Sequence, residues 1–169
     1  ITIDFAGYTY TMLDPAVGSK GTETQAMHWG TSLKSITMKN GTFKVADNAT
    51  EVKMAMQNYV AFTAENMTFD FTNIPVTSYG EKEYTGKDAV YNGLEVPMFN
   101  NNKGAMLLDA CTIKMPAEST KGISADGEGI TLKDSVIHGY VNLQDSNSKL
   151  TVVGSTTLKG VVSYFEGGT

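Results

Sequence analysis

The sequence has little cysteine and no arginine. Cys111 is the only cysteine, and all 13 basic residues are lysines. A single cysteine excludes an internal disulfide and a cysteine-based metal cage. The lysines are outnumbered by 18 acidic residues, which gives a formal net charge of −5. Because nucleic acids and anionic lipids favour clustered lysine and arginine, this balance disfavours both as partners.

Long apolar runs are also absent. No run approaches the roughly 18 residues that a spanning helix needs, so membrane insertion is not expected. The chain has 169 residues, of which 41% are apolar and 18% charged, and this is enough for one domain with a continuous core. It opens on Ile1-Thr2-Ile3-Asp4, without the charged and apolar regions of a signal peptide. We therefore expect a mature or excised segment.

What is present is an internal repeat. Each block consists of an alternating apolar stretch, a bend and a second alternating stretch, as in residues 36–45. A looser copy opens the chain, where Gly7 suggests one extra bend residue. The copies that align without gaps begin at Ile36, Phe62, Met106, Ile130 and Leu150.

The spacing inside a block predicts strand, turn and strand. Alternate residues of a strand point to opposite faces, so Ile36 and Met38 share one face while Thr37 takes the other. Asparagine, aspartate and glycine tolerate the left-handed backbone that a sharp bend requires. The bend position holds Asn40, Asn66, Asp134 and Gly154, with Ala110 as the exception.

The distances between blocks point to one fold. Successive blocks begin 35, 26, 44, 24 and 20 residues apart, and constant strands joined by variable turns favour a right-handed β-helix over a left-handed one. A third apolar piece precedes most blocks, at 26–29, 52–56, 96–99 and 141–143. We predict an all-β fold, a right-handed parallel β-helix solenoid of about six coils. It forms a single domain over residues 1–169, with side-loop insertions near 13–25 and 72–95.

Stacked coils bury their inner faces against one another, so like residues are expected to form columns. The first predicted column contains Ile36, Phe62, Met106, Ile130 and Leu150. The second contains Phe43, Phe69, Ile113 and Ile137, and Thr157 interrupts it.

The segments 1–7 (ITIDFAG) and 35–42 (SITMKNGT) resemble coil-opening phrases of right-handed parallel β-helix proteins with the pectate-lyase-like fold. The resemblance extends over nearly the whole chain. It implies a secreted or cell-surface location and contact with polysaccharide. It implies no single activity, because this fold carries lyases, glycoside hydrolases, phage tailspikes and bacterial adhesins.

Catalysis is the less favoured interpretation. Lyases of this fold use an arginine or lysine base with calcium held by carboxylates, and hydrolases use two or three aspartates from adjacent coils. Asp109 and Asp134 fall on adjacent coils with Lys133 beside them, so these three form the catalytic alternative to a solvated turn. His28 and His138 lie in different strands without a carboxylate cluster, so no metal site is predicted. No cofactor is expected, and calcium alone is left open.

A binding site is expected in the insertion at 72–95. Tyr79, Tyr84 and Tyr91, with Asp88, offer the flat apolar faces and polar tips that a sugar-binding surface uses. The alternative is that these tyrosines only hold the loop against the solenoid. Trp29 is a further candidate, near the insertion at 13–25.

These features favour a non-catalytic, adhesin-like module, secreted or on a bacterial cell surface, that binds polysaccharide, cell-surface glycans or other surface partners. Two alternatives remain. One is a polysaccharide lyase or glycoside hydrolase acting on acidic polysaccharide, and the other is a structural spacer or phage fibre segment. Unpaired strands at the ends predict end-to-end self-association or continuation into a longer chain.

Overall fold

A computed structural model describes residues 1–13, 17–19, 22–47, 54–73, 98–101, 105–115, 122–126, 128–143 and 148–164. The described residues form strands and turns, with no helix. The strands are β1 (Thr2–Asp4), β2 (Thr9–Met12), β3 (Val17–Ser19), β4 (Thr22–Trp29), β5 (Ser35–Val45), β6 (Met54–Asn58), β7 (Ala61–Asp70), β8 (Met98–Asn101), β9 (Met106–Asp109), β10 (Thr112–Lys114), β11 (Gly122–Asp126), β12 (Gly129–Lys133), β13 (Val136–His138), β14 (Tyr140–Leu143), β15 (Lys149–Val153), β16 (Thr157–Lys159) and β17 (Val162–Tyr164).

The strands form two sheets, one of ten strands and one of seven. All pairings are parallel except β3 with β4, which lies in the segment expected to be an insertion. The larger sheet contains two columns, because β5 and β7 each span a bend and contribute a strand to both sides. The first column runs β1, β5, β7, β9, β12, β15, and the second runs β2, β5, β7, β10, β13, β16. The smaller sheet is the third column, in the order β3, β4, β6, β8, β11, β14, β17.

The strand register confirms the predicted block starts. Ile36 pairs with Phe62, Phe62 with Met106, Met106 with Ile130, and Ile130 with Leu150. The predicted second column is confirmed from Phe43 to Ile137. All of these residues are at most 2% exposed except Leu150, which lies on β15, the outermost strand of the first column. The period of two along each strand therefore identified the inner face correctly.

Two details of the predicted register were wrong, both at a bend. Ile137 pairs with Leu158 and not with Thr157, because the last block carries one extra residue after Gly154. The apolar column is therefore not interrupted. At the other end, Asp4 pairs with Lys39 and Thr9 with Thr42, so the first block has two extra bend residues where one was expected.

The third column contains the four predicted apolar pieces, in β4, β6, β8 and β14, and one further strand between them that was not predicted from the sequence. The missed strand is β11, which pairs with β8 and β14. Its inward residues are Ile123 and the small Ala125, both fully buried, so its apolar pattern is short. The first residue of this strand, Gly122, has to be a glycine because a side chain there would overlap the backbone carbonyl of Tyr140.

The core contains a cluster of aromatic rings between the first two columns. Phe43, Phe62, Phe69 and Phe71 are each fully buried. The Phe69 ring lies 6.4 Å from Phe43, 6.4 Å from Phe62 and 6.1 Å from Phe71, between ring centroids. Such tilted and stacked contacts add to the apolar area that each ring removes from water.

The bends adopt the predicted left-handed backbone. The φ angles are 58° at Asn40, 52° at Asn66, 52° at Ala110, 47° at Asp134 and 64° at Gly154. The amide of Asn66 donates to Oδ1 of Asn40 at 3.3 Å, and that of Asn40 donates to Oδ1 of Asp4 at 3.2 Å. Asn40 and Asn66 therefore occupy equivalent corners, and their side-chain amides form a hydrogen-bonded ladder from strand to strand.

We expect Asn66→Val to lower the free energy of unfolding by about 1–3 kcal/mol, because a β-branched residue resists positive φ. Urea unfolding measures the effect. Asn66→Gly is the control, since it keeps the backbone angle and loses only the amide ladder. A valine variant as stable as wild type would show that the corner is not strained.

Candidate functional site

Outward side chains form straight rows along the stack, because parallel strands stay in register over several blocks. Two rows consist almost entirely of threonine. Neighbours in a row are separated by the strand spacing of about 4.7–4.9 Å. The first contains Thr2, Thr37, Thr63, Leu107, Thr131 and Thr151, and the second contains Thr9, Thr42, Thr68, Thr112, Val136 and Thr157. We call these the threonine rows.

A charged row lies beside the first threonine row. It contains Asp4, Lys39, Glu65, Asp109 and Lys133, and ends at Val153. Lys39 pairs with Asp4 at 3.5 Å and Lys133 with Asp109 at 2.8 Å, between nitrogen and oxygen. Opposite charges on adjacent strands stabilise the pairing of those strands.

The structure brings together two of the three residues proposed as a catalytic alternative. The hydrogen bond from Lys133 to Asp109 raises the pKa of the lysine. A lysine base requires a lowered pKa, so this contact acts in the opposite direction. Asp134 follows Lys133 at the corner, and its Oδ1 accepts a hydrogen bond from the backbone of Ser155 at 2.8 Å. All three side chains therefore have hydrogen-bond partners on neighbouring strands or turns.

A second charged row lies beyond the second threonine row. Asp70 pairs in register with Lys44 and Lys114, and its carboxylate lies 3.7 Å from the Lys114 amine. Partial burial raises the pKa of Asp70, but hydrogen bonds from the hydroxyl and backbone of Thr72 and the two lysine charges outweigh it, so the pKa lies below its ordinary value. His138 and Lys159 continue the row.

The lowered pKa of Asp70 predicts a pH-dependent contribution to stability. This contribution is fully present above about pH 4, the ordinary carboxyl pKa, and is lost as the pH falls through the lower folded-state pKa. We expect Asp70→Asn to lower the free energy of unfolding by about 1 kcal/mol at pH 7. The difference from wild type should shrink as the pH falls below about 4. Urea unfolding across this range tests it, and a difference that is constant with pH would contradict it.

Trp29, a predicted sugar-binding residue, lies partly in the core. Its ring packs against buried apolar residues, and its Nε1 is buried without a hydrogen-bond partner. Trp29 pairs with Asn58, whose fully buried amide also has no partner in the described structure. Most of the ring is therefore directed inward, and a smaller part of it reaches the surface.

An aromatic pair beside Trp29 was not predicted. The rings of His28 and Tyr59 stack with centroids 5.1 Å apart and planes at 23°. His28 points outward from β4 and is exposed, and Tyr59 follows the end of β6. No sequence pattern indicates this contact, because Tyr59 lies in the turn beyond the alternating residues of β6.

The other predicted binding residues, Tyr79, Tyr84, Asp88 and Tyr91, lie outside the described residues, so their role stays a prediction. Within the described ranges, no cluster of three or more histidine, cysteine, aspartate or glutamate residues is placed to hold a metal ion. In the same ranges there is no helix long and apolar enough to cross a membrane.

Comparisons with protein-family models, with curated proteins and with solved structures find no match for this chain.

Proposed function

We propose that the chain is a right-handed parallel β-helix of the pectate-lyase-like type, in which each block with its third strand forms one coil. Three columns of parallel strands support this. Block offsets of 26, 44, 24 and 20 residues within the same columns also support it, since a β-helix keeps its strands and varies its turns.

On this scaffold we propose a non-catalytic module, secreted or at the cell surface, that binds polysaccharide or cell-surface glycans. The observation that carries the proposal is the pair of threonine rows. They present hydroxyl and methyl groups at a constant repeat along the stack, and the adjacent charged row adds donors and acceptors. A sugar chain that runs along a row would meet the same groups at each step.

Two further observations support binding without catalysis. Asp109 and Lys133 neutralise each other in a 2.8 Å contact, which favours a structural ion pair over an acid and a base directed at a substrate. The stacked pair of His28 and Tyr59 adds an aromatic surface, of the kind that packs against sugar rings.

Affinity electrophoresis in gels that contain neutral or acidic polysaccharides tests the proposal. We expect retardation of the wild-type protein by at least one polysaccharide, and a loss of at least tenfold in affinity for the double variant Thr63→Glu with Thr131→Glu. Ser32→Glu, in an exposed turn outside the rows, is the control and should bind as wild type does.

The same polysaccharides are then assayed for reducing ends and for unsaturated products. No product is expected from wild type. If wild type releases product and either Asp109→Asn or Lys133→Met abolishes that release, the proposal is contradicted. That result would support the lyase or hydrolase alternative.

A structural spacer or fibre segment is the second candidate, favoured by the apolar residues exposed on the outermost strands. It predicts no retardation by any polysaccharide, together with assembly of the chain into larger species.

A further inference from the structure

The charged row beside the first threonine row holds one carboxylate that is not part of an ion pair. Lys39 is paired with Asp4, and Lys133 with Asp109. Glu65 lies between these two pairs, in register with Lys39 and Asp109. Its side chain is exposed and makes no hydrogen bond or salt bridge with any residue that the structure describes. The row therefore presents an unpaired negative charge near its centre.

This carboxylate adjoins the surface proposed to bind glycans. Glu65 follows Thr63 by two residues on β7, so both side chains point outward from the same strand. At about 3.2–3.4 Å per residue, the two positions are separated by roughly 6–7 Å. Thr63 lies inside the first threonine row, between Thr37 and Leu107. A sugar ring above Thr63 would therefore bring the hydroxyl groups of one edge close to Glu65.

An ionised carboxylate acts differently on neutral and acidic sugars. It can only accept hydrogen bonds, and a sugar hydroxyl can donate one; such charge-assisted bonds are stronger than those between neutral groups. A sugar that itself carries a carboxylate is instead repelled by a like charge at this distance.

The surroundings of Glu65 do not compensate for this repulsion. The charged row contains three acidic residues and two lysines, and both lysines are already paired with aspartates. The whole chain carries a net charge of −5. An acidic polysaccharide along the first threonine row would therefore meet unpaired negative charge and no unpaired lysine of that row.

We propose that the glycan bound along the first threonine row is a neutral polysaccharide, and that Glu65 selects it by accepting hydrogen bonds from its hydroxyl groups. This inference rests on the proposed function and names its ligand class. Glu65 then acts as a specificity-determining residue, whereas the lysines and aspartates on either side of it maintain the pairing of the strands.

Affinity electrophoresis with two polysaccharides of the same backbone is the first test. Hydroxyethyl cellulose is uncharged and carboxymethyl cellulose is acidic; guar galactomannan and polygalacturonate add a second member to each class. Wild type is expected to bind at least one neutral chain at least tenfold more tightly than either acidic chain. Equal or tighter binding of an acidic chain would overturn the neutral class and leave glycan binding standing. Retardation in none of the four gels would overturn both.

Charge reversal at Glu65 tests its role as the selecting residue. Glu65→Lys should weaken binding to the neutral chain at least tenfold and strengthen binding to the acidic chains. Glu65→Gln removes the repulsion without adding a cation, so its ratio of acidic to neutral affinity should lie between those of wild type and Glu65→Lys. Circular dichroism confirms that each variant is folded.

Asp47→Lys is the control for charge reversal. It makes the same change of charge in an exposed turn after β5, beyond the second column, and should keep the preference of wild type. If Asp47→Lys shifts the preference as far as Glu65→Lys does, net charge and not the position of Glu65 determines selectivity, and the assignment of Glu65 is overturned. Unchanged preference in both Glu65 variants would overturn it as well.

Discussion

Phe69→Ala is expected to lower the free energy of unfolding by about 3–5 kcal/mol. Phe69 is fully buried at the centre of the aromatic cluster, pairs in register with Phe43 and Ile113, and contacts three other rings. Removing the ring costs its transfer free energy and leaves a cavity, because β-strands held on both sides cannot move inward to fill it. Denaturant unfolding gives the value.

Thr68→Ala is the matched control for this prediction. It truncates the neighbouring residue on the outward side of the same strand, where the side chain is partly exposed, and should cost less than about 1 kcal/mol. Equal effects of the two substitutions would show that Phe69 is not on the inner face.

Gly129→Ala is expected to cost about 3 kcal/mol, from backbone strain and a forced shift of the neighbouring strand. Gly129 has a φ of 104°, a conformation that residues with a side chain rarely adopt. A methyl group there would also overlap the backbone of Lys149, the residue paired with it on β15. The strain and the overlap act on the same pair of strands, so the last block should loosen first.

Thermal unfolding and protection of the β15 amides from hydrogen exchange measure the effect. Gly30→Ala is the control, since a methyl group at Gly30 meets nothing within 4 Å, and its stability should stay within about 1 kcal/mol of wild type. If the two variants unfold at the same temperature, the close approach of β12 and β15 at Gly129 is wrong.

The inner columns could be predicted from sequence because two independent signals coincide in each block. The alternation of apolar residues defines the inner face, and residues such as Asn40 and Asn66 mark the bend. Ala110 shows that the fold and not the residue type sets the corner, since an alanine adopts the same positive φ. The alignment of neighbouring blocks could locate this corner even where the residue itself gave no indication.

The errors arose where a bend changes length. The residue inserted after Gly154 moved Leu158 into the column where Thr157 was expected, and no local pattern reveals which side of a turn holds an insertion. Strand β11 was not predicted because Gly122 and Ala125 are small. Small residues, which allow neighbouring strands to approach closely, do not produce a recognisable apolar pattern. Its role follows only from the two strands that flank it.

The candidate site was predictable where it depends on register. Asp109 and Lys133 occupy the same position in successive blocks, so their contact follows from the repeat. The ion pair itself, with its effect on the pKa of Lys133, depends on side-chain conformation. The stacking of His28 on Tyr59 depends on the course of a turn, for which the repeat gives no rule.

The stacking of blocks across the longest offset is the central claim, and disulfide trapping tests it most directly. Thr63 and Leu107 are 44 residues apart in sequence and face each other on adjacent strands of the first threonine row. Burial raises the pKa of Cys111 to about 11, so this thiol stays protonated and does not compete. Thr63→Cys with Leu107→Cys should form a disulfide under mild oxidation, identified by peptide mapping.

Thr63→Cys with Thr131→Cys is the comparison for this measurement. These residues lie in the same row but two strands apart, about 9–10 Å, which exceeds the reach of a disulfide. We expect a crosslink in the first pair and none in the second. A crosslink between residues 63 and 131, or none between residues 63 and 107, would contradict the stacked register on which both proposals depend.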